Sequence, residues 1–139
     1  MPIGKLYSRG DDSILSITSS DEENVFTYEE YGYVLTADDV YASQSAVGEY
    51  AVYVFKDKHT TNLNQITINW EGQTDYDPIT SPVTLEIYNF STNTWEILDS
   101  EVTAGANVDF TLTGSIAEDT TEYYDPSYWI VCRVYQEAK

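Results

Sequence analysis

Residue types that many catalytic sites depend on are scarce in this chain. It contains one cysteine, one histidine and six basic residues among 139. A single histidine leaves a histidine-rich zinc site or a catalytic triad without the partners that it needs. The sequence also has no glycine-rich phosphate-binding loop, no GxGxxG and no GxSxG. We therefore predict that the protein is not an enzyme.

The single cysteine and the single histidine have structural interpretations. One cysteine excludes an intrachain disulfide. Cys132 lies in the apolar run YWIVCRVY and is predicted to be a small buried hydrophobic residue. His59 stands between Lys58 and Thr60 in a polar stretch and is predicted to be a solvated loop residue.

Positive charge is scarce as well. The chain has 24 acidic residues against six basic ones, which gives a formal net charge of −18. Nucleic-acid backbones and anionic membranes are bound by basic surfaces, so we predict that neither is a partner. The charge fits a soluble protein, a calcium-rich setting, a basic partner or a crowded assembly kept from clumping by repulsion.

Long apolar segments are absent from the sequence. The first residues, MPIGKL, contain no apolar core of signal-peptide length, and nothing reaches the length of a transmembrane helix. The chain therefore gives no evidence of its own for secretion.

The chain is instead rich in β-forming residues, including 13 tyrosines and three tryptophans. The strongest signal is a hairpin over residues 81–102, in which Val83, Leu85 and Ile87 alternate with polar residues before a polar turn and a second strand. Seven or more short strands separated by turns predict an all-β sandwich or barrel. We expect one β-sandwich domain over residues 24–139, preceded by an arm or edge strand over residues 1–23.

Four segments, which together contain five of the predicted strands, resemble parts of a known fold. They are ITINWEG (66–72), PVTLEIYNFSTNTWEIL (82–98), DFTLTGSI (109–116) and YWIVCRVYQ (128–136). This half of the chain resembles galactose-binding-like jelly-roll modules, in particular small phage-encoded β proteins. The resemblance implies a jelly-roll β-sandwich. It carries over no binding residue, because no ligand motif of the family aligns here.

Acidic loops are the candidate metal sites. Calcium prefers oxygen ligands from carboxylates and carbonyls. Asp75 and Asp77 precede the hairpin, Asp119 and Asp125 lie in the acidic loop after residue 117, and the pair at 38–39 is a further candidate. None of these stretches has the fixed order of an EF-hand, so loop acids that simply face water remain the alternative.

Loop tyrosines are the candidate binding residues. Tyr76, Tyr123, Tyr124 and Tyr128 lie in or beside polar loops. Such rings stack on sugars in carbohydrate-binding modules, anchor protein interfaces or pack the ends of a sandwich, and the sequence leaves these three roles open.

Two functions of different class follow from these features. The first is a structural protein of a phage particle, such as a capsid decoration, neck or tail component, in which the chain forms a homo-oligomer and contacts other virion proteins. The second is a carbohydrate-binding module that binds a glycan, with calcium dependence left open as one of its alternatives. The first hypothesis places the protein in the virion.

Overall fold

The structure, a computed structural model, describes residues 5–12, 24–25, 50–59 and 64–137. The described segments contain eight β-strands and one short 3-10 helix. The strands are β1 (Lys5–Asp12), β2 (Asn24–Val25), β3 (Tyr50–Lys58), β4 (Ile66–Gly72), β5 (Val83–Asn89), β6 (Thr94–Glu101), β7 (Phe110–Ile116) and β8 (Trp129–Glu137), and the 3-10 helix spans Thr120–Tyr123.

The strands form two antiparallel sheets. The larger sheet has six strands in the order β2-β1-β3-β8-β5-β6, and the smaller one pairs β4 with β7. This arrangement confirms the predicted all-β class and is consistent with a β-sandwich.

The main core lies between the two sheets and is built by the alternation seen in the sequence. Every second residue of a strand points to the same face. The six-stranded sheet contributes Val83, Leu85, Ile87, Ile130, Cys132 and Val134, and the smaller sheet contributes Ile66, Phe110 and Leu112. Cys132 is buried with no disulfide partner, as predicted, and burial raises the pKa of its thiol.

Strand β5 is buried on both faces, whereas its sequence predicts a half-buried strand. Thr84 and Glu86 point away from the main core, yet each is less than a tenth exposed. Side chains of the two neighbouring strands contact them: Thr84 Oγ1 lies 3.2 Å from Ser100 Oγ on β6, and Glu86 bonds Arg133 on β8. The opposite face of that sheet also carries a second apolar cluster around Val52, Val54 and Val131.

The turn of the β5–β6 hairpin is held by its own polar side chains. Asn89 pairs with Thr94, so residues 90–93 form the loop. The Asn89 side-chain oxygen accepts hydrogen bonds from the backbone N–H groups of Ser91 and Thr92, at 2.9 and 3.0 Å. Asn93 has a φ of 56°, a left-handed conformation that asparagine tolerates well.

Part of the N-terminal segment belongs to the six-stranded sheet. Strand β1 pairs along its whole length with β3 of the same chain, and β2 adds two residues on its other side. Within the predicted arm or edge strand over residues 1–23, residues 5–12 thus form a sheet strand. Residues 1–4, residues 13–23 and the acidic pair at 38–39 lie outside the described residues.

A close contact between β6 and β7 brings the two sheets together along one side. A Cβ added to Gly114 would lie 2.6 Å from the Cβ of Leu98. Since Leu98 packs against the main core, it has little room to move. We expect Gly114→Ala to lower the free energy of unfolding by about 1–3 kcal/mol, measured by urea denaturation.

Gly105 provides the matched control for this substitution. A Cβ at Gly105 would meet only Val108, at an ordinary contact distance of 3.9 Å. We expect Gly105→Ala to change stability by less than about 0.5 kcal/mol. Equal effects of the two substitutions would contradict the close approach of β6 and β7.

Candidate binding and metal sites

The predicted metal-ligating acids lie at opposite ends of the sandwich. Asp75 and Asp77 follow β4, close to the start of β7, whereas Asp119 and Asp125 follow the end of β7. A seven-residue strand separates these two ends by about 20 Å. The four carboxylates therefore cannot form one metal site.

At the first end, the carboxylate of Asp77 organises a turn. Its Oδ2 accepts a hydrogen bond from the Thr80 hydroxyl at 2.9 Å. Its backbone carbonyl accepts bonds from the N–H groups of Thr80 and Ser81. Asp75 is exposed nearby. Asp77 thus has a structural role in the loop that leads into β5.

At the second end, Asp125 has a similar role. Its Oδ1 accepts hydrogen bonds from the backbone N–H groups of Ser127 and Trp129, at 2.8 and 3.0 Å. Asp119 is exposed and precedes the 3-10 helix with a left-handed φ of 52°. Within the described segments, no group of three or more histidine, cysteine, aspartate or glutamate residues could hold a metal ion.

The four candidate tyrosines do not share an exposed surface. Tyr123 and Tyr124 are buried, at 7% and 6% exposure, while Tyr128 is 41% exposed. Tyr76 lies at the other end of the sandwich, half-buried. The structure thus brings Tyr123, Tyr124 and Tyr128 to one end, but only one of these rings is open to a ligand. Packing at the ends of the sandwich accounts for the two buried rings.

Tyr123 belongs to a polar network at the turn of the hairpin. Its hydroxyl donates to Oε1 of Glu96 at 2.7 Å, and the Asn89 amide donates to Oε2 of the same carboxylate at 2.7 Å. Burial, together with the adjacent Glu96 carboxylate, raises the pKa of Tyr123 to about 12. Both oxygens of Glu96 are therefore engaged inside the fold.

His59 is part of this end of the molecule and is not the solvated loop residue that its sequence context predicts. Its Nδ1 lies 2.7 Å from the Tyr124 hydroxyl, with the two ring centroids 5.6 Å apart. Its backbone N–H donates to the carbonyl of Tyr128 at 2.9 Å. These contacts join the end of β3 to the loop before β8.

A buried ion pair on the larger sheet was not predicted from the sequence. Arg133 on β8 and Glu86 on β5 stand opposite each other, both below a tenth exposed. The Arg133 Nε and Nη2 atoms lie 2.7 and 2.6 Å from Oε1 of Glu86. The guanidinium carbon lies 4.3 Å from the Trp95 ring centroid and 5.2 Å from that of Tyr135. This arrangement neutralises both charges and packs the cation against two aromatic rings.

The sequence contained a signal for this pair. The alternation of β8 places Arg133 with Val131 and Tyr135 on the face opposite the main core, and the alternation of β5 places Glu86 on that same face. The missing element was the pairing of β5 with β8, which are far apart in sequence.

The Tyr123 network makes a testable prediction. The Tyr123 pKa lies above the unfolded value of about 10, so the protonated phenol stabilises the fold below that pH. This contribution is lost as the pH rises from about 10 toward 12. We expect the wild type to lose more unfolding free energy than Tyr123→Phe between neutral and strongly alkaline pH, in urea titrations. Tyr128→Phe, at an exposed ring, should follow the wild type; a Tyr123→Phe profile that also matches the wild type would contradict the network.

These features define a small all-β domain in which the buried side chains of Glu86, Asn89 and Arg133 bond other groups of the fold. The chain belongs to the AF_1625_C family, described as "Uncharacterized protein, C-terminal domain", whose model matches residues 6–139. No curated protein and no solved structure matches the chain in the corresponding comparisons. The part of the chain that the structure describes contains no helix long and apolar enough to cross a membrane.

Proposed function

We propose that this domain is a non-catalytic structural component of a phage particle, built on a jelly-roll sandwich. The observation that carries the proposal is that side chains of the types found in reactive sites form contacts within the fold or are buried in it. Glu96, Glu86 and Arg133 are held in polar contacts within the fold. His59 bonds Tyr124, and Cys132 is buried with a raised pKa.

Two further features support a structural role. The strands over residues 66–136 resemble those of small phage-encoded β proteins, and they form the smaller sheet and three of the six strands of the larger sheet. The net charge of −18 makes the chains repel one another and opposes non-specific aggregation. Contacts in a crowded particle would then form only between complementary surfaces.

The contact with neighbouring subunits does not use the segment Lys5–Asp12 in this proposal. That segment is already paired with β3 of its own chain over eight residues. Other surfaces of the described strands are therefore better candidates for the contact with neighbouring subunits.

A carbohydrate-binding function is less well supported. It would require a cluster of exposed rings, and Tyr123 and Tyr124 are buried while Tyr76 lies at the opposite end from Tyr128. The predicted calcium dependence has no group of acidic ligands among the described residues either.

The proposal is tested by analysing particles purified from the culture whose genome encodes the chain. Quantitative mass spectrometry should find the chain in banded particles at a fixed ratio to the major capsid protein, and high salt should not remove it. A chain found only in the soluble fraction would contradict the proposal. Repeating the salt wash with a chelator tests the calcium requirement, and a glycan array with the purified chain tests carbohydrate binding.

A further inference from the structure

The smaller sheet has an edge with no neighbouring strand among the described residues. Strand β4 pairs with β7 on one side, and no described strand lies on its other side. The edge of a sheet presents unpaired N–H and C=O groups, which form a template for an added strand.

A side-chain contact shows which backbone groups of β4 point outward. Oδ2 of Asp99 on β6 accepts the backbone N–H of Thr113 at 3.0 Å, so this N–H points away from β4. Thr113 faces Asn69 in the register of the two strands. Facing residues in an antiparallel ladder either bond each other or both turn away. Asn69 therefore directs its N–H and C=O to the outer edge.

The same alternation extends along the strand. Thr67 and Glu71 lie two residues on either side of Asn69 and also direct their backbone groups outward, while Ile68 and Trp70 bond β7. The outer edge of β4 thus offers three N–H and three C=O groups in a row.

This edge lacks the features that usually prevent strand addition. Natural edges are blunted by lysine, proline or a β-bulge. Strand β4, with the sequence ITINWEG, has no lysine or proline, and its register with β7 is continuous. Its one charged residue, Glu71, lies near the end of the strand. By contrast, β6 lies beside β7 and Asp99 occupies a backbone donor of that edge.

We propose that the outer edge of β4 pairs antiparallel with β4 of a second copy of this chain, about a two-fold axis at Asn69. This inference rests on the proposed function and deepens it by naming the subunit interface. The pairing joins the two small sheets into one four-stranded sheet, in the order β7-β4-β4-β7.

The register about Asn69 favours a second copy as the partner. Thr67 of each chain faces Glu71 of the other, and Asn69 faces Asn69, so no two carboxylates lie opposite each other. The three facing pairs exchange about six backbone hydrogen bonds. Ile68 and Trp70 are half-buried on the inner face and gain cover from the same residues of the second copy. Charges elsewhere on the two acidic chains are screened beyond about 8 Å at physiological salt.

A cysteine at the two-fold axis tests this geometry in the full chain. Facing Cα atoms in a bonded antiparallel pair are about 5.5 Å apart, which a disulfide can span. We expect Asn69→Cys to give covalent dimers as the major species under a mild oxidant, read on a non-reducing gel. Cys132 is buried and gives no background.

Thr67→Cys is the matched control, because it places the thiol on the same edge but away from the axis. In the proposed register the two copies of residue 67 are offset by four residues, or about 14 Å, which is too far for a disulfide. Equal cross-linking of both variants, or of neither, would overturn the proposed register.

A second pair of variants tests the edge without a covalent bond. The Asn69 N–H makes no bond to β7, so Asn69→Pro removes an outward donor and leaves the ladder with β7 intact. Asn69→Thr keeps the N–H. We expect sedimentation velocity to show that Asn69→Pro raises the dissociation constant of the dimer at least tenfold, whereas Asn69→Thr retains the dimer.

The outcomes separate this inference from the proposed function. A wild-type oligomer that survives Asn69→Pro and does not cross-link through residue 69 would overturn β4 pairing and leave the structural function standing. Particle association with a strictly monomeric wild-type chain in solution would likewise overturn β4 pairing alone.

Discussion

Glu86→Ala lowers the free energy of unfolding by about 3–5 kcal/mol, because it removes the carboxylate that bonds the buried guanidinium of Arg133. The two side chains are 8% and 6% exposed, so water cannot replace the missing carboxylate. Trp95 and Tyr135 pack their ring faces against the guanidinium, and a ring face does not supply the full negative charge of a carboxylate. We expect urea denaturation at neutral pH to show the loss as a lower midpoint.

Two comparisons make this result specific to the ion pair. Glu71→Ala removes one negative charge from an exposed strand position and should change stability by less than about 0.5 kcal/mol. The double variant Glu86→Leu with Arg133→Met should recover most of the loss, because replacing a buried pair with apolar residues is often neutral. If Glu86→Ala were as stable as Glu71→Ala, the result would contradict a buried ion pair between Glu86 and Arg133.

Leu112→Ala lowers the free energy of unfolding by about 2–5 kcal/mol, the second large effect that we expect. Leu112 lies on β7 and is fully buried in the main core between the sheets. The smaller sheet contributes few core side chains, so the cavity would open where the two sheets meet. Thermal unfolding should show a melting temperature lower by roughly 3–5 °C for each kcal/mol lost.

Thr111→Ala is the control for this prediction. Thr111 precedes Leu112 on the same strand and points to the exposed face of the small sheet. We expect it to change the free energy of unfolding by less than about 0.5 kcal/mol. If Leu112→Ala were equally mild, the small sheet would not close the core, and the sandwich arrangement would be wrong.

The strand alternation was predictable because it depends on neighbouring residues alone. Ile66, Ile68 and Trp70 face the core while Thr67 and Asn69 face solvent, as their spacing predicts. On β8, Cys132 lies in the main core, as its apolar sequence context predicts, and Val131 lies in the second cluster on the opposite face.

The burial of β5 on both faces could not be derived in the same way. It depends on side chains of β6 and β8 that contact Thr84 and Glu86, and the sequence of the hairpin does not specify the pairing of β5 with β8. Glu86 therefore resembled a solvent-facing acid, although it bonds a residue 47 positions away.

The sequence was sufficient to predict that the candidate residues lie in loops. It was not sufficient to predict whether they bind a ligand or a metal ion. Asp77 and Asp125 do lie in loops, but their carboxylates bond the turns that contain them. The composition cannot distinguish such turn-forming acids from metal ligands, because both use carboxylate oxygens. Tyr123 and Tyr124 likewise lie in an acidic loop and are buried by its fold.

Self-association through the outer edge of β4 is tested most directly by the solution mass of the chain. Light scattering of the purified full chain should be recorded from low micromolar to near-millimolar concentration, at physiological salt and with either calcium or a chelator. We predict a mass that rises to that of two chains and does not depend on calcium. A mass of one chain at every concentration, in a sample that is folded, would contradict self-association through β4.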